Sequence, residues 1–197
     1  MAGLLDGVRA DGAGRALVDS SQPPAGLRRG GNGYLRARMR NFCQLARHEP
    51  LLLITDLDSW PCPAALCSQW LRGLARPSTM LVRVAVREVE SWLLADHEAI
   101  EILLGRRPTP RLPMQTDRIA NPKAFLLGLA CKAAREVRLD LCTESGAEVR
   151  QGIGYNARLG GFVREAWDPQ RAAQRSDSLR RARQRLRELA ESAAGKL

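Results

Sequence analysis

The stretch LLLITDLD at positions 51–58 decides the fold of this 197-residue chain. Its four leading apolar residues are typical of a short buried strand, and two carboxylates follow where that strand should end. In open α/β sheets, ligands bind at the carboxyl ends of the strands. Side chains two positions apart lie on one side of an extended backbone, so Asp56 and Asp58 offer paired oxygen ligands that suit Mg²⁺ or Mn²⁺. The simpler alternative is a loop in which Asp58 caps the next helix.

A second apolar run, Met80–Val86, predicts another buried strand that leads into Glu88 and Glu90. The order of strand, helix, strand and helix is typical of an α/β fold with a parallel sheet flanked by helices. If the two strands are neighbours, these glutamates meet Asp56 and Asp58 at one edge of the sheet. Four carboxylates this close repel one another unless a cation compensates them, and such clusters usually bind metal for phosphoryl chemistry.

Apolar periodicity outside these two strands mainly predicts helices, and glycine and proline clusters mark the loops. Asn121 and Pro122 are typical of a helix start, as cap and first residue. The remaining expected elements are a short strand at 15–19, helices at 34–47, 64–74, 122–135 and 156–166, a helix through Trp92 and Ile100, an Arg-rich helical stretch at 169–194, and loops at 20–33 and 105–122.

The charge balance favours anionic partners. Lys and Arg total 31 against 21 acidic residues, which gives a net charge of +10 and a pI near 10.4. Nucleic acid is the first candidate, followed by an acidic protein or a membrane surface, although Arg-rich composition also accompanies GC-rich genomes. The pair Arg28 and Arg29 beside glycines predicts either a phosphate-contacting loop or a plain turn. For the Arg-rich C-terminal helix we expect both packing on the domain and a basic exposed face.

Cysteine usage and the start of the chain indicate an intracellular protein. The five cysteines form no Cys-x-x-Cys pair and the chain has two histidines, so zinc-site spacing is absent. We therefore expect single buried or half-buried thiols in a reducing cytoplasm. Asp6 precedes any apolar run, which predicts no signal peptide, and no apolar stretch approaches membrane-spanning length. We expect no membrane partner.

A resemblance to a known family rests on six segments. They are Thr55–Asp58, Val86–Asp96, Asn121–Lys123, Gly152–Asn156, Trp167–Pro169 and Ser176–Ala182. Together they resemble the Toprim superfamily, the catalytic domain of topoisomerases, primases and overcoming-lysogenisation-defect nucleases. The chain is most similar to a bacterial Toprim-like family of unknown function, often encoded beside ATPases in mobile or defence islands. The likeness covers roughly residues 28 to 190.

The resemblance implies a Toprim-like parallel-sheet core over residues 1–105 and a mainly helical extension over residues 106–197 that packs on it. It also implies Mg²⁺- or Mn²⁺-dependent phosphodiesterase or nuclease activity on nucleic acid, a companion ATPase and a role in phage defence. The implied site residues are Asp56, Asp58 and Glu88 for catalysis, the same three with Glu90 for the metal, and Arg28, Arg29, Arg87 and Lys123 for nucleic acid.

The chain departs from the family in one respect. Toprim enzymes place a general acid–base or metal-binding Glu at the end of a first strand, whereas no apolar strand ending in Glu precedes Arg15 and the first Glu is Glu49. Either the sequence begins inside a longer gene, or this member has lost that acid.

Three functions remain open. The first is a nuclease, and the second is a non-catalytic module that binds nucleic acid or an ATPase. The third is a primase-type nucleotidyl transferase, for which the sequence offers no recognisable nucleotide-binding residues. Arg87 is open in the same way, either as a phosphate clamp or as an ion-pair partner of Glu88 or Asp58.

Overall fold

The computed structural model describes residues 31–105, 111–145 and 148–194, so the strand expected at 15–19 lies outside the described residues. Helices and short strands alternate, and the fold is mixed α/β. No described helix combines the length and the apolar character needed to cross a membrane. The elements are α1 (Gly31–Ala37), α2 (Met39–Leu45), β1 (Leu51–Asp56), α3 (Pro63–Trp70), β2 (Met80–Ala85), α4 (Glu90–Leu94), α5 (His97–Leu103), α6 (Pro122–Ala130), α7 (Arg135–Leu141), β3 (Cys142–Ser145), β4 (Glu148–Gln151), α8 (Tyr155–Glu165), α9 (Pro169–Ala172) and α10 (Asp177–Ala194).

β1 and β2 form a parallel sheet whose register runs from Leu51 beside Met80 to Asp56 beside Ala85. The prediction of two neighbouring parallel strands joined by a helix is therefore confirmed. Within the described residues the parallel sheet has these two strands, with helices flanking it, and β3 and β4 form a separate antiparallel hairpin. A larger Toprim-like sheet stays a prediction.

Two apolar clusters hold the fold, one on each face of this sheet. Leu53 belongs to the first cluster and Ile54 packs against the second, as the alternation of side chains along a strand requires. Burial of each large apolar side chain contributes about 1.5–3 kcal/mol. Fully buried members of the first cluster are Met39, Leu57, Leu66 and Met80, and those of the second include Trp92, Leu94, Ile100, Leu126 and Leu141.

Several expected helices are divided or shorter in the structure. The helix expected at 34–47 is α1 and α2, and the helix expected at 122–135 ends at Ala130. The expected helix through Trp92 and Ile100 is interrupted because the Asp96 carboxylate accepts the N–H of Ala99 and so caps a new helix, α5. The break before α5 therefore comes from a side-chain cap, which overrides helical periodicity.

Buried polar contacts fasten the C-terminal helices to α4 and α5. The indole N–H of Trp92 donates to Ser178 Oγ at 2.7 Å, and that of Trp167 donates to the Trp92 carbonyl oxygen at 3.1 Å. Asp96 is fully buried and accepts two hydrogen bonds from the Arg171 guanidinium, at 2.8 and 2.9 Å. Trp92, which is 1% exposed, is therefore a core residue.

Candidate functional site

Asp56 is the last residue of β1, and the other predicted carboxylates follow the ends of β1 and β2. There the N–H groups of Leu57 and Asp58 both donate to the Arg87 carbonyl oxygen, at 2.9 and 3.0 Å, which holds the two segments together. Asp58 has a φ of 50°, so the extended backbone assumed for the Asp pair ends at this residue. The alternative in which Asp58 caps a helix is wrong, because the cap of α3 is Cys62, whose sulfur accepts the N–H of Ala65.

Asp56 is the half-buried centre of this cluster. One oxygen, Oδ1, accepts a hydrogen bond from the Val89 N–H at 2.8 Å. Burial is the main cause that raises the pKa of Asp56 from 3.8 to about 6, and the negative charges of Glu90 and Asp58 act in the same direction. The Val89 hydrogen bond and the Lys123 charge lower this pKa without cancelling the increase. Ionisation of Asp56 is therefore less favourable in the folded protein than in water.

Glu90, the first residue of α4, is only 4% exposed. Its Oε1 accepts the Tyr155 hydroxyl at 2.9 Å and lies 3.6 Å from Lys123 Nζ. Its Oε2 is buried and accepts a hydrogen bond from no described residue. Burial and the charge of Glu90 raise the pKa of Tyr155, so the hydroxyl keeps its proton and remains a donor. One buried carboxylate oxygen thus has no hydrogen-bond partner in the part of the chain that the structure describes, which costs free energy.

Glu88 and Lys123 meet at the start of α6. Glu88 Oε2 accepts the backbone N–H of Lys123 at 2.8 Å. The Asn121 side chain accepts an N–H of the first helical turn at 3.0 Å and Pro122 is the first residue, so the predicted helix start is confirmed. The Lys123 ammonium faces Glu90, and its contact with phosphate stays a prediction.

Of the three arginines predicted to bind phosphate, Arg87 is the one that lies within the described residues. Arg87 Nη1 donates to the carbonyl oxygens of Asp58 and Trp60, at 3.1 and 2.9 Å. The expected ion pair of Arg87 with an acidic side chain is absent among the described residues, because its hydrogen bonds go to the main chain of the loop. Arg28 and Arg29 lie outside the described residues, so the phosphate-loop hypothesis stays a prediction.

Three polar residues of the cluster, Asn32, Thr55 and Tyr155, were not singled out by sequence reasoning. The Asn32 amide donates to the Asp56 carbonyl oxygen at 3.2 Å and to the Asp58 carboxylate, and its own oxygen accepts the Thr55 hydroxyl. The sequence offered only indirect indications that these residues belong to the cluster. Asn32 lies among glycines in an expected loop, and Tyr155 lies in a segment that was noted only because it resembles the Toprim-like family. In the structure, α1 already begins at Gly31.

The cluster offers oxygen ligands, which are the type that Mg²⁺ and Mn²⁺ prefer. The Lys123 ammonium lies 3.6 Å from one of the four carboxylates, that of Glu90. Among the described residues, no three acidic, His or Cys side chains are already arranged to bind a metal ion together. Binding would therefore require side-chain rotation, chiefly of Asp58 and Glu88, which hydrogen-bond to Asn32 and to the Lys123 N–H.

Comparison with known proteins assigns no family to this chain. Neither a family model, nor a curated protein, nor a solved structure matches the sequence or its fold.

Proposed function

We propose that this protein is a Mg²⁺- or Mn²⁺-dependent phosphodiesterase that cleaves nucleic acid at the acidic cluster of Asp56, Asp58, Glu88 and Glu90. The observation that carries the proposal is Glu90 Oε2, a buried oxygen that accepts no hydrogen bond from the described residues, next to a crowded Asp56. A buried charge of this kind is costly unless a cation or a donor meets it. A divalent cation with oxygen ligands would meet that need.

Each carboxylate of the cluster keeps one oxygen for such a cation. The other oxygen accepts a hydrogen bond, from Val89 for Asp56, from Asn32 for Asp58, from the Lys123 N–H for Glu88 and from Tyr155 for Glu90. Of the remaining oxygens, Glu90 Oε2 is buried and accepts no hydrogen bond from the described residues, and a cation shared by all four carboxylates would still require Asp58 and Glu88 to rotate. A bound divalent ion would polarise a phosphate oxygen and lower the pKa of a water molecule.

The basic surface supports nucleic acid as the substrate class. The net charge is +10, and α10 buries Leu179 and Ala182 while exposing a row of arginines. Neutralisation of backbone phosphates by such residues gives salt-sensitive binding. From the family resemblance we further infer a Toprim-like core, a cytoplasmic location, a companion ATPase and a role in phage defence. The exposed arginines of α10 are Arg180, Arg181, Arg185 and Arg187.

A second candidate is a non-catalytic module that binds nucleic acid or an ATPase. The engagement of Glu88 at the start of α6 supports it, because an acid that fixes a helix N-terminus is less available for chemistry. The hydrogen bonds of Arg87 to two main-chain carbonyls also support the non-catalytic module, because they occupy a side chain that was predicted to bind phosphate.

Cleavage and binding separate the two functions. The full chain is incubated with plasmid DNA, single-stranded DNA and RNA in Mg²⁺, in Mn²⁺ or in EDTA, and binding is measured in parallel in EDTA. The variants are Asp56→Asn, Glu90→Gln and, as a matched loss of one carboxylate charge, Glu101→Gln at an exposed position of α5.

A phosphodiesterase should cut only with divalent metal, and Asp56→Asn and Glu90→Gln should each reduce the rate by about 10²-fold or more, as is typical when a group that stabilises transition-state charge is lost. Glu101→Gln should retain the rate. Salt-sensitive binding without cleavage in either metal would contradict the enzyme and favour the module.

A further inference from the structure

Cys131 and Cys142 are 11 residues apart in the sequence, and their side chains are in contact in the fold. Cys131 immediately follows the last residue of α6 and is half-buried, and Cys142 is the buried first residue of β3. Their sulfur atoms are 3.3 Å apart. A disulfide bond is about 2.05 Å long, so the two sulfurs would have to move about 1 Å closer by side-chain rotation for the bond to form.

The backbone around Cys142 is held in place on both sides. The Gly152 N–H donates to the Leu141 carbonyl oxygen at 2.9 Å, and Cys142 pairs with Gln151 in the β3–β4 hairpin. Gly152 approaches so closely that a Cβ on it would lie 2.4 Å from the Asp140 carbonyl oxygen. The backbone that carries Cys142 is therefore fixed by packing, and its side chain remains the part that can rotate.

We propose that Cys131 and Cys142 form a reversible disulfide under oxidising conditions, with a low-molecular-weight disulfide such as glutathione disulfide as the oxidant. The half-exposed Cys131 thiolate attacks one sulfur of the oxidant, breaks its S–S bond and releases one thiol after protonation. The Cys142 thiolate then attacks the Cys131 sulfur of the mixed disulfide and releases the second thiol. The two cysteine sulfurs are oxidised, and the oxidant is reduced to two thiols.

This cross-link would join two elements that both reach the acidic cluster. α6 carries Lys123 near its start, and the hairpin leads through Gly152 to Tyr155. Both of these side chains contact Glu90 Oε1. Oxidation would therefore covalently link α6 to the β3–β4 hairpin, the two elements that position the side chains in contact with Glu90. The disulfide itself does not depend on the proposed nuclease activity.

Peptide mapping tests the proposal directly. The folded full chain is incubated with glutathione disulfide, alkylated without reduction and digested with trypsin, which cuts after Lys123, Lys132, Arg138 and Arg150. Cys131 then lies in peptide 124–132 and Cys142 in peptide 139–150, so their disulfide joins two separate peptides. We expect this cross-link to exceed all other cysteine cross-links by about tenfold, because the two sulfurs are already positioned.

Variants and an internal control make the outcome decisive. Cys131→Ser should abolish the cross-link, whereas Cys62→Ser, at an exposed cysteine, should leave it unchanged. Dithiothreitol should restore both thiols. Two results would overturn the proposal: peptides 124–132 and 139–150 stay unlinked while Cys62 becomes glutathionylated, or Cys131 accumulates as a mixed disulfide with glutathione that never passes to Cys142.

Discussion

Replacement of Asp56 by Asn should stabilise the metal-free protein at neutral pH. The amide keeps an oxygen to accept the Val89 N–H but removes a charge that burial, Glu90 and Asp58 all disfavour. The rise in the pKa of Asp56 from 3.8 to about 6 corresponds to about 3 kcal/mol, since each pKa unit is worth about 1.4 kcal/mol. Asp56 is partly exposed, so solvent screening reduces this, and we expect a gain of about 2 kcal/mol.

The pH dependence has a defined sign. A carboxyl whose folded pKa is raised binds its proton more tightly in the folded state, so its contribution to stability is complete below pH 3.8 and is lost as the pH rises through about 6. The free energy of unfolding of the wild type should therefore fall, relative to that of Asp56→Asn, between these pH values. Below pH 3.8 the two proteins should be equally stable.

The assay is urea denaturation followed by tryptophan fluorescence, in EDTA, from pH 3.5 to 8, with excess Mg²⁺ as a second condition. Mg²⁺ should stabilise the wild type more than Asp56→Asn, because a ligand stabilises the state that binds it. Asp177→Asn is an opposite control, since a hydrogen bond and the charge of Arg180 lower the pKa of Asp177. The reasoning is refuted if Asp56→Asn is no more stable than the wild type at neutral pH, or if its advantage does not change with pH.

Three further substitutions test how the fold is packed. Gly152→Ala should destabilise the fold by about 1–3 kcal/mol, because its Cβ would lie 2.4 Å from the Asp140 carbonyl oxygen, whereas Gly128→Ala in α6 meets nothing within 4 Å and should stabilise it by up to about 1 kcal/mol. Equal effects in thermal denaturation would contradict this contrast. Asp96→Ala should lower the free energy of unfolding by about 3 kcal/mol, because it removes the buried partner of Arg171, and a urea midpoint unchanged at pH 7 would contradict it.

The two neighbouring parallel strands were accessible from the sequence, whereas a metal site at their ends stays a prediction. Two apolar runs separated by one helix predict parallel neighbours, and the structure pairs Leu51–Asp56 with Met80–Ala85 in this way. The residues that follow such strands lie near one another because the backbone brings them there. Periodicity is sufficient for this level of description.

The orientation of individual side chains was not accessible in the same way. Asp58 has a positive φ where the loop turns, and the carbonyl oxygens of Asp58 and Trp60 both accept hydrogen bonds from the Arg87 side chain. A charge pattern predicts an ion pair for such an arginine, whereas the main chain of the loop satisfies it. Tyr155 lies 65 residues from Glu90 in the chain, so their contact has no local signature.

The β3–β4 hairpin was missed for a different reason. Thr143 pairs with Arg150, and Glu144 with Val149, so the strands lack the alternation of apolar and polar residues that reveals a half-buried sheet. The capping role of Asp96 was also hidden, because an Asp within an apolar periodic stretch does not by itself indicate a break between helices.

The salt bridge between Asp96 and Arg171 has a practical consequence for dissecting the molecule. A fragment that ended at Gly105 would contain Asp96 but not Arg171. It would also lack Ser178, whose hydroxyl accepts the hydrogen bond of the Trp92 indole N–H. In this fragment the Asp96 carboxylate would have lost its ion-pair partner, and apolar side chains that the C-terminal helices cover would be exposed to water. Expressed alone, it should aggregate, and co-expression with the remaining carboxyl-terminal piece should recover it in soluble form.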